Sequence, residues 1–303
     1  MALGPEVPRL PLLLCVLLGL APGCAERIQH GADGGDRGGV DPGACGGRPF
    51  PDGTVTGYSP TGVQLTPYEG PTHVTSAGTV IEGADISACL IIDAPEVVVK
   101  RSRIRSAGRC GLGLVDVRDS AVGTAFEDVE IDGLGAGGFG IIGGGYTASR
   151  MDIHGLNGGI AISGRGPTVL EDSWVHDLVR GGPTEVDSVS SNGASRVVLR
   201  NNNLENPFNS DAVIGLFGDF APISDFLVER NLLNGGGYTV YAGHHPSKDF
   251  PNTSDIRFQN NCFGRAYFTQ SGYFGPVSAF EPDGPGNVWS ANRWYDSGSE
   301  VRP

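Results

Sequence analysis

Apolar and polar positions along this chain repeat in a ten-residue block. VVLRNNNLEN fills 197–206, and FLVERNLLNG, IRFQNNCFGR and NVWSANRWYD begin at Phe226, Ile256 and Asn287. Weaker copies begin at Val97 (VVVKRSRIRS), Thr124 (TAFEDVEIDG), Tyr146 (YTASRMDIHG) and Thr168 (TVLEDSWVHD). Successive blocks therefore start 27, 22, 22, 29, 29, 30 and 31 residues apart, a period that marks stacked repeat units. The third position reads Val99, Phe126, Ala148, Leu170, Leu199, Val228, Phe258 and Trp289. The eighth reads Ile104, Ile131, Ile153, Val175, Leu204, Leu233, Phe263 and Trp294. Both columns are apolar throughout and are expected to point inward. The fourth (Lys100, Glu127, Ser149, Glu171, Arg200, Glu229, Gln259, Ser290) is polar and is expected to face water. Apolar positions a few residues apart, split by a polar turn and lacking a 3.6 period, predict short strands.

The sixth position changes character along the chain: Ser102, Val129, Met151, Ser173, then Asn202, Asn231, Asn261 and Asn292. Four asparagines in register suit an internal ladder, each amide donating to one neighbour and accepting from the other. Before each block lies another short strand: 89–93, 111–117, 139–143, 159–163, 187–191, 211–215, 238–243 and 276–280. Two or three short strands per repeat, with Gly/Asn/Asp turns, predict an all-β chain. It reads as a right-handed parallel β-helix of about eight to nine rungs with an internal Asn ladder. A leucine-rich repeat would show a fixed Leu/Asn consensus, and a propeller blade would need about 40–50 residues.

The ends and the composition add three expectations. Residues 1–24 read as a signal peptide. The apolar run Leu10–Leu20 is too short to span a bilayer, and APGC at 21–24 suits either lipidation of Cys24 or ordinary cleavage near Ala25. A secreted or cell-surface protein follows, with no transmembrane segment after processing. Residues 25–60, rich in Gly, Asp and Pro, read as a flexible tether, with Asp33, Asp36 and Asp41 in no trusted calcium-loop spacing. Residues 61–303 read as the β-helix domain, opened by GTVIEGADI at 78–86. Glycine supplies 49 of 303 residues, as many tight turns demand. The net charge of −13 argues against nucleic acid, and a monomer is expected. Of the six cysteines, Cys89 and Cys110 begin strands of adjacent rungs and are expected to form a disulfide. Cys45 and Cys262 are read as free thiols. No CxxC or HExxH pattern predicts zinc.

These columns, the Asn run and the leader resemble the pectate-lyase-like superfamily of right-handed β-helix proteins. TGVQLTPYEGP (61–71), GTVIEGADI and GGGYTVYAG (235–243) are similar to secreted bacterial β-helix proteins, many actinobacterial, whose activity is mostly unassigned. The resemblance spans roughly residues 50–300 and implies the fold. It leaves the chemistry open among lyases, hydrolases, epimerases and non-catalytic proteins. Relatives carry a His-x-Asp-Gly turn where this chain reads Glu185-Val186-Asp187-Ser188. The Asp is kept and the His is not.

A solenoid of this kind would bind a polymer along one flank. The ninth position follows an inward residue and is expected to point out: Arg105, Asp132, His154, His176, Glu205, Asn234, Gly264, Tyr295. His154 and His176 should stack on consecutive rungs. Aligning Val189 with Val213 places Asp187 and Asp211 at one register, with Tyr238 next. Titratable groups then converge on rungs three to six. Candidate catalytic residues are Asp187, Asp211, His176, Glu185 and Arg180. Candidate substrate contacts are His154, Glu205, Tyr238, Tyr241 and His244.

Three mechanisms are open. A lyase would use Arg180 as base, with calcium on Asp187 and Asp211. A hydrolase would use two carboxylates at about 5–5.5 Å or about 6.5–9.5 Å: Asp187 with Asp211, or Glu185 or Glu205 with Asp211. An epimerase-like route would run through His176. Only two lysines are present, Lys100 in the water-facing column and Lys248 in a loop, which tilts the reading to hydrolysis of a neutral or weakly acidic polysaccharide. The alternative is a non-catalytic protein that binds a cell-envelope glycan or has a structural role there.

Overall fold

The third and eighth positions pair column by column. Val99 lies opposite Phe126, and the line continues through Ala148, Leu170, Leu199, Val228, Phe258 and Trp289. Ile104 begins the second line, through Ile131, Ile153, Val175, Leu204, Leu233, Phe263 and Trp294. Apart from Trp289 and Trp294, which are half-buried, both lines are buried and form the core. Ile81 and Ile86 extend the lines by one earlier unit. The structure, a computed structural model, describes Cys45, residues 49–106, Gly108 and residues 110–164, 166–180 and 186–303. All of these fall in the unit Gly39–Pro303. The leader, Cys24, Asp33, Asp36, Asp41 and Glu185 lie outside the described residues.

The fifth position divides each block. Arg101, Asp128, Arg150, Asp172, Asn201, Arg230, Asn260 and Ala291 all adopt left-handed backbone, with φ between +46° (Arg101) and +57° (Asn260). That conformation costs an L-residue about 1–2 kcal/mol. It bends the chain so that the sixth side chain turns into the core beside the third and eighth. All eight sixth-position residues are buried. Asn202 Nδ2 donates to Asn231 Oδ1 at 2.9 Å, Asn231 to Asn261 at 3.0 Å and Asn261 to Asn292 at 2.9 Å. Ser173 Oγ accepts the Met151 N–H, and Ser102 Oγ the Ala84 N–H.

The two halves of the blocks form a seventeen-stranded sheet, and the preceding strands form a nine-stranded one. Strand pairing is parallel within both. Among the described residues no α-helix occurs, and no helix is long and apolar enough to cross a membrane. An all-β chain in long parallel sheets is compatible with a parallel β-helix.

Three expectations are corrected. In the nine-stranded sheet Val189 pairs with Ile214, not Val213. Asp187 is thus level with Ala212, and Tyr238 pairs with Ala212 rather than Asp211. The reason is local. Asp211 takes left-handed backbone (φ 56°) and closes the turn, so the strand starts at Ala212. Asn206 Nδ2 holds that turn by donating to the carbonyls of Val186, Ser210 and Ala212. Cys45 and Cys262 are not free thiols: they form a disulfide, with Cα atoms 5.9 Å apart. The expected Cys89–Cys110 bridge is present, at 5.4 Å.

Third, residues 49–58 pack where a tether was expected. Phe50 packs edge-on against Tyr295, Pro51 accepts from Asn203 Nδ2, the Gly57 N–H donates to the Arg150 carbonyl, and Tyr58 lies under Arg103. A Cβ on Gly57 would sit 3.0 Å from Asp152 Cβ. The segment therefore runs across successive repeats as a strap. Phe50, Pro51 and Tyr58 supply its side-chain and carbonyl contacts.

Candidate functional site

Seventh and ninth positions flank the buried eighth, so in an alternating strand they point outward. Register places Asp152 opposite Glu130 and His154 opposite Asp132, with Trp174 opposite Asp152 on the next strand. His154 lies between carboxylates: Nε2 is 3.7 Å from Glu130 Oε1 and Nδ1 is 3.8 Å from Asp132 Oδ1. Burial alone would lower its pKa. Glu130, Asp152 and Asp132 outweigh that and hold the imidazole above its ordinary value.

The next unit repeats the arrangement more tightly. His176 Nε2 is 2.8 Å from Asp152 Oδ1, and Nδ1 is 3.0 Å from Asp177 Oδ2. The ring stacks on Trp174 at 3.4 Å between centroids and on His154 at 5.2 Å. The expected stacking of the two histidines is therefore present. Glu205 accepts from Trp174 Nε1 at 2.9 Å and from the Tyr267 hydroxyl at 2.5 Å. Burial, then the charge and hydrogen bond of Glu205, push the Tyr267 hydroxyl pKa upward. Arg180 is exposed and turned to the next turn, donating to Asn209 and Ser210 over the Phe208 ring.

Asp187 belongs to the other sheet and is 1 % exposed. Its Oδ1 accepts the Ala212 N–H at 2.8 Å, while Asp211 Oδ2 accepts the Val186 N–H at 3.0 Å. Each carboxylate clasps the backbone of the neighbouring unit. Each therefore spends one oxygen on a backbone N–H, and the two no longer share one register. Tyr238 packs on Phe274, Tyr241 on Phe217 and His245, and His244 Nδ1 is 3.3 Å from Glu281.

Sequence reasoning missed a groove of about 470 Å³ over the strands Phe139–Gly143, Gly158–Ile162 and Val189–Ser191. Its apolar lining comes from Leu112, Phe139, Ile142 and Phe220, and its polar lining from Ser163, Asp187, Ser190 and Asn192. Register explains the space. Ile142, Ala161 and Ser190 form one row, with two small residues beside a large one. The expected site residues thus divide. His154, His176 and Glu205 share the flank of the seventeen-stranded sheet, whereas Asp187, Tyr238 and Tyr241 belong to the nine-stranded sheet. Glu130, Asp132 and Asp152, not singled out from sequence, complete the flank. Their signal was legible as E-x-D at 130–132 over D-x-H at 152–154.

No protein family matches the chain, and no curated protein or solved structure matches it.

Proposed function

We propose that this is an exported carbohydrate-active protein, a right-handed parallel β-helix of the pectate-lyase-like kind with about eight to nine rungs and an internal Asn ladder. It takes a glycan into the groove over the nine-stranded sheet. The observation that carries this reading is the groove's mixed lining: Phe139, Ile142 and Phe220 beside Asp187, Ser190 and Asn192. A sugar ring presents apolar C–H faces and hydroxyl edges, and a site for it needs both kinds of partner. Two disulfides support an oxidising compartment, in keeping with a leader at 1–24 and a lipid anchor at Cys24. The net charge of −13 favours a neutral glycan over a polyanionic one.

Cleavage assigns Asp187 as the acid or base, buried at the groove and replacing the paired carboxylates first expected. Hydrolysis needs a second carboxylate, and Glu185, two residues earlier, is its nearest in the chain. Glycan binding without cleavage is the second reading. It is favoured by the Ala212 N–H that occupies Asp187 Oδ1. Reducing-end release on a glycan panel, read with unsaturated-product absorbance and calorimetric binding, separates the readings. Reducing ends without absorbance mark a hydrolase, and absorbance marks a lyase. Binding alone marks a lectin-like protein. No response to any neutral or weakly acidic glycan of the panel defeats the proposal.

A further inference from the structure

The flank of the seventeen-stranded sheet carries a cluster that the groove does not use. Strands Thr124–Asp132 and Asp152–His154 pair in parallel, with Asp152 opposite Glu130 and His154 opposite Asp132. Alternate residues share a face, so three carboxylates and an imidazole occupy the corners of one patch. One donor atom each from Glu130, Asp132 and His154 lies within 4.8 Å of the other two.

The surroundings sort these groups. Asp152 is engaged by His176 Nε2 at 2.8 Å, which orients it beside the cluster. Asp132 Oδ1 accepts the Leu134 N–H at 2.8 Å, fixing that carboxylate on its turn. The side chains of Glu130, Asp132 and His154 keep 17 %, 21 % and 25 % of their surface exposed. An ion can therefore reach them without unfolding the chain. The strap passes close by, with Gly57 over the Cβ atoms of Asp152 and Glu130.

We propose that Glu130, Asp132 and His154 form a binding site for a divalent transition-metal ion of the zinc type. One imidazole nitrogen with two carboxylate oxygens is a donor set for such ions, whereas calcium and magnesium prefer oxygen alone. Metal–ligand bonds of about 2.0–2.2 Å in tetrahedral array set donors about 3.4 Å apart. His154 Nε2 lies 3.7 Å from Glu130 and Nδ1 3.8 Å from Asp132, on opposite edges of the ring. An ion takes only one of these nitrogens, and with one donor atom from each residue within 4.8 Å of the other two, rotation of the His154 ring and the Glu130 side chain brings three donors to one centre. Three protein ligands leave the fourth position to water. Because the ligands come from two consecutive repeats, the ion ties those repeats together and stabilises the folded chain by mass action.

The test uses the untagged full exported chain, stripped with chelator and titrated with zinc chloride by calorimetry. Cobalt chloride is the spectroscopic stand-in, read by visible absorbance. The proposal expects one ion per chain. His154→Ala removes both the saturable heat and the cobalt band, and Asp132→Asn weakens binding about tenfold or more. His73→Gln, on a distant exposed histidine, leaves binding unchanged. Thermal midpoints without metal show that each variant is folded, and His154→Gln replaces His154→Ala should the latter not fold. Absence of saturable zinc binding, or zinc binding that survives the His154 substitution, overturns the proposal. So does calcium binding that equals zinc and is indifferent to His154. Glycan binding at the groove does not enter this test, so either proposal can fail alone.

Discussion

Two outward surfaces built from the same repeat differ in how their polar groups are used. On the flank of the seventeen-stranded sheet, charges meet partners on the next repeat. Arg103 and Arg105 bind Asp85, Arg150 binds Glu127 and Asp128, and His176 lies between Asp152 and Asp177. A strap crosses this surface and is pinned through Cys45–Cys262. On the nine-stranded sheet the row Ala161 and Ser190 is small, and the large Ile142 stands at its end. The flank is rich in chemistry and holds itself together. The other surface has fewer charges and leaves room for a ligand. Density of titratable residues therefore identifies a good ion site or a stabilising network, whereas residue size along a row identifies a groove.

The largest test of this contrast is the strap. Replacing Cys45 and Cys262 together by Ser opens a loop whose ends are 217 positions apart in the sequence. Loss of a native disulfide typically costs about 2–5 kcal/mol. Denaturant unfolding should show that loss while glycan binding by the folded fraction persists. Loss of binding in folded protein would tie the groove to the strap and end the separation of the two surfaces.

The interior serves both surfaces, so damage there should not discriminate. Asn231 Oδ1 accepts from the backbone and side chain of Asn202, and its Nδ2 donates to Leu199 and Asn261. Asn231→Leu leaves those buried groups short of partners and should cost about 1–3 kcal/mol. Chemical denaturation measures it, and an unchanged midpoint would contradict the buried series.

A smaller effect belongs to the flank alone. The Arg103 hydrogen bond to Asp85 is the largest influence on that carboxyl. It outweighs partial burial and is helped by the charges of Arg103 and Arg105, so the pKa is held below the ordinary carboxylate range. A depressed folded pKa gives stability that is present above the unfolded value, about 3.9, and is lost as pH falls through the folded one. Asp85→Asn should cost about 1 kcal/mol at neutral pH and nothing once both states are protonated. Urea midpoints at neutral and strongly acidic pH check the sign. An equal cost at both would assign the effect to packing.

The parts legible in sequence were those fixed by periodic burial. The third and eighth columns need apolar side chains in every repeat, so their register followed from pattern. Cys89 and Cys110 followed because both begin strands of adjacent units. The left-handed fifth column was not legible, because Arg101, Arg150, Arg230 and Ala291 adopt it alongside Asn and Asp. The Asp187–Asp211 alignment failed because DSVSS and DAVIG share too little alternation to fix register, and a one-residue slip changes every facing pair. Cys45 gave no signal, since it lies outside the period and its partner is 217 residues away.

Glycan binding by Phe220→Ala, set beside His154→Ala, tests the central claim most directly. Phe220 is 82 % exposed and lines the groove, so its removal should change stability by no more than about 0.5 kcal/mol. Calorimetry with the best neutral glycan from the panel should show about tenfold or greater weakening in Phe220→Ala, since one buried aromatic contact is worth about 1–3 kcal/mol. Affinity should be unchanged in His154→Ala. The reverse outcome, with binding intact in Phe220→Ala and lost in His154→Ala, would place the glycan on the charged flank and contradict the account.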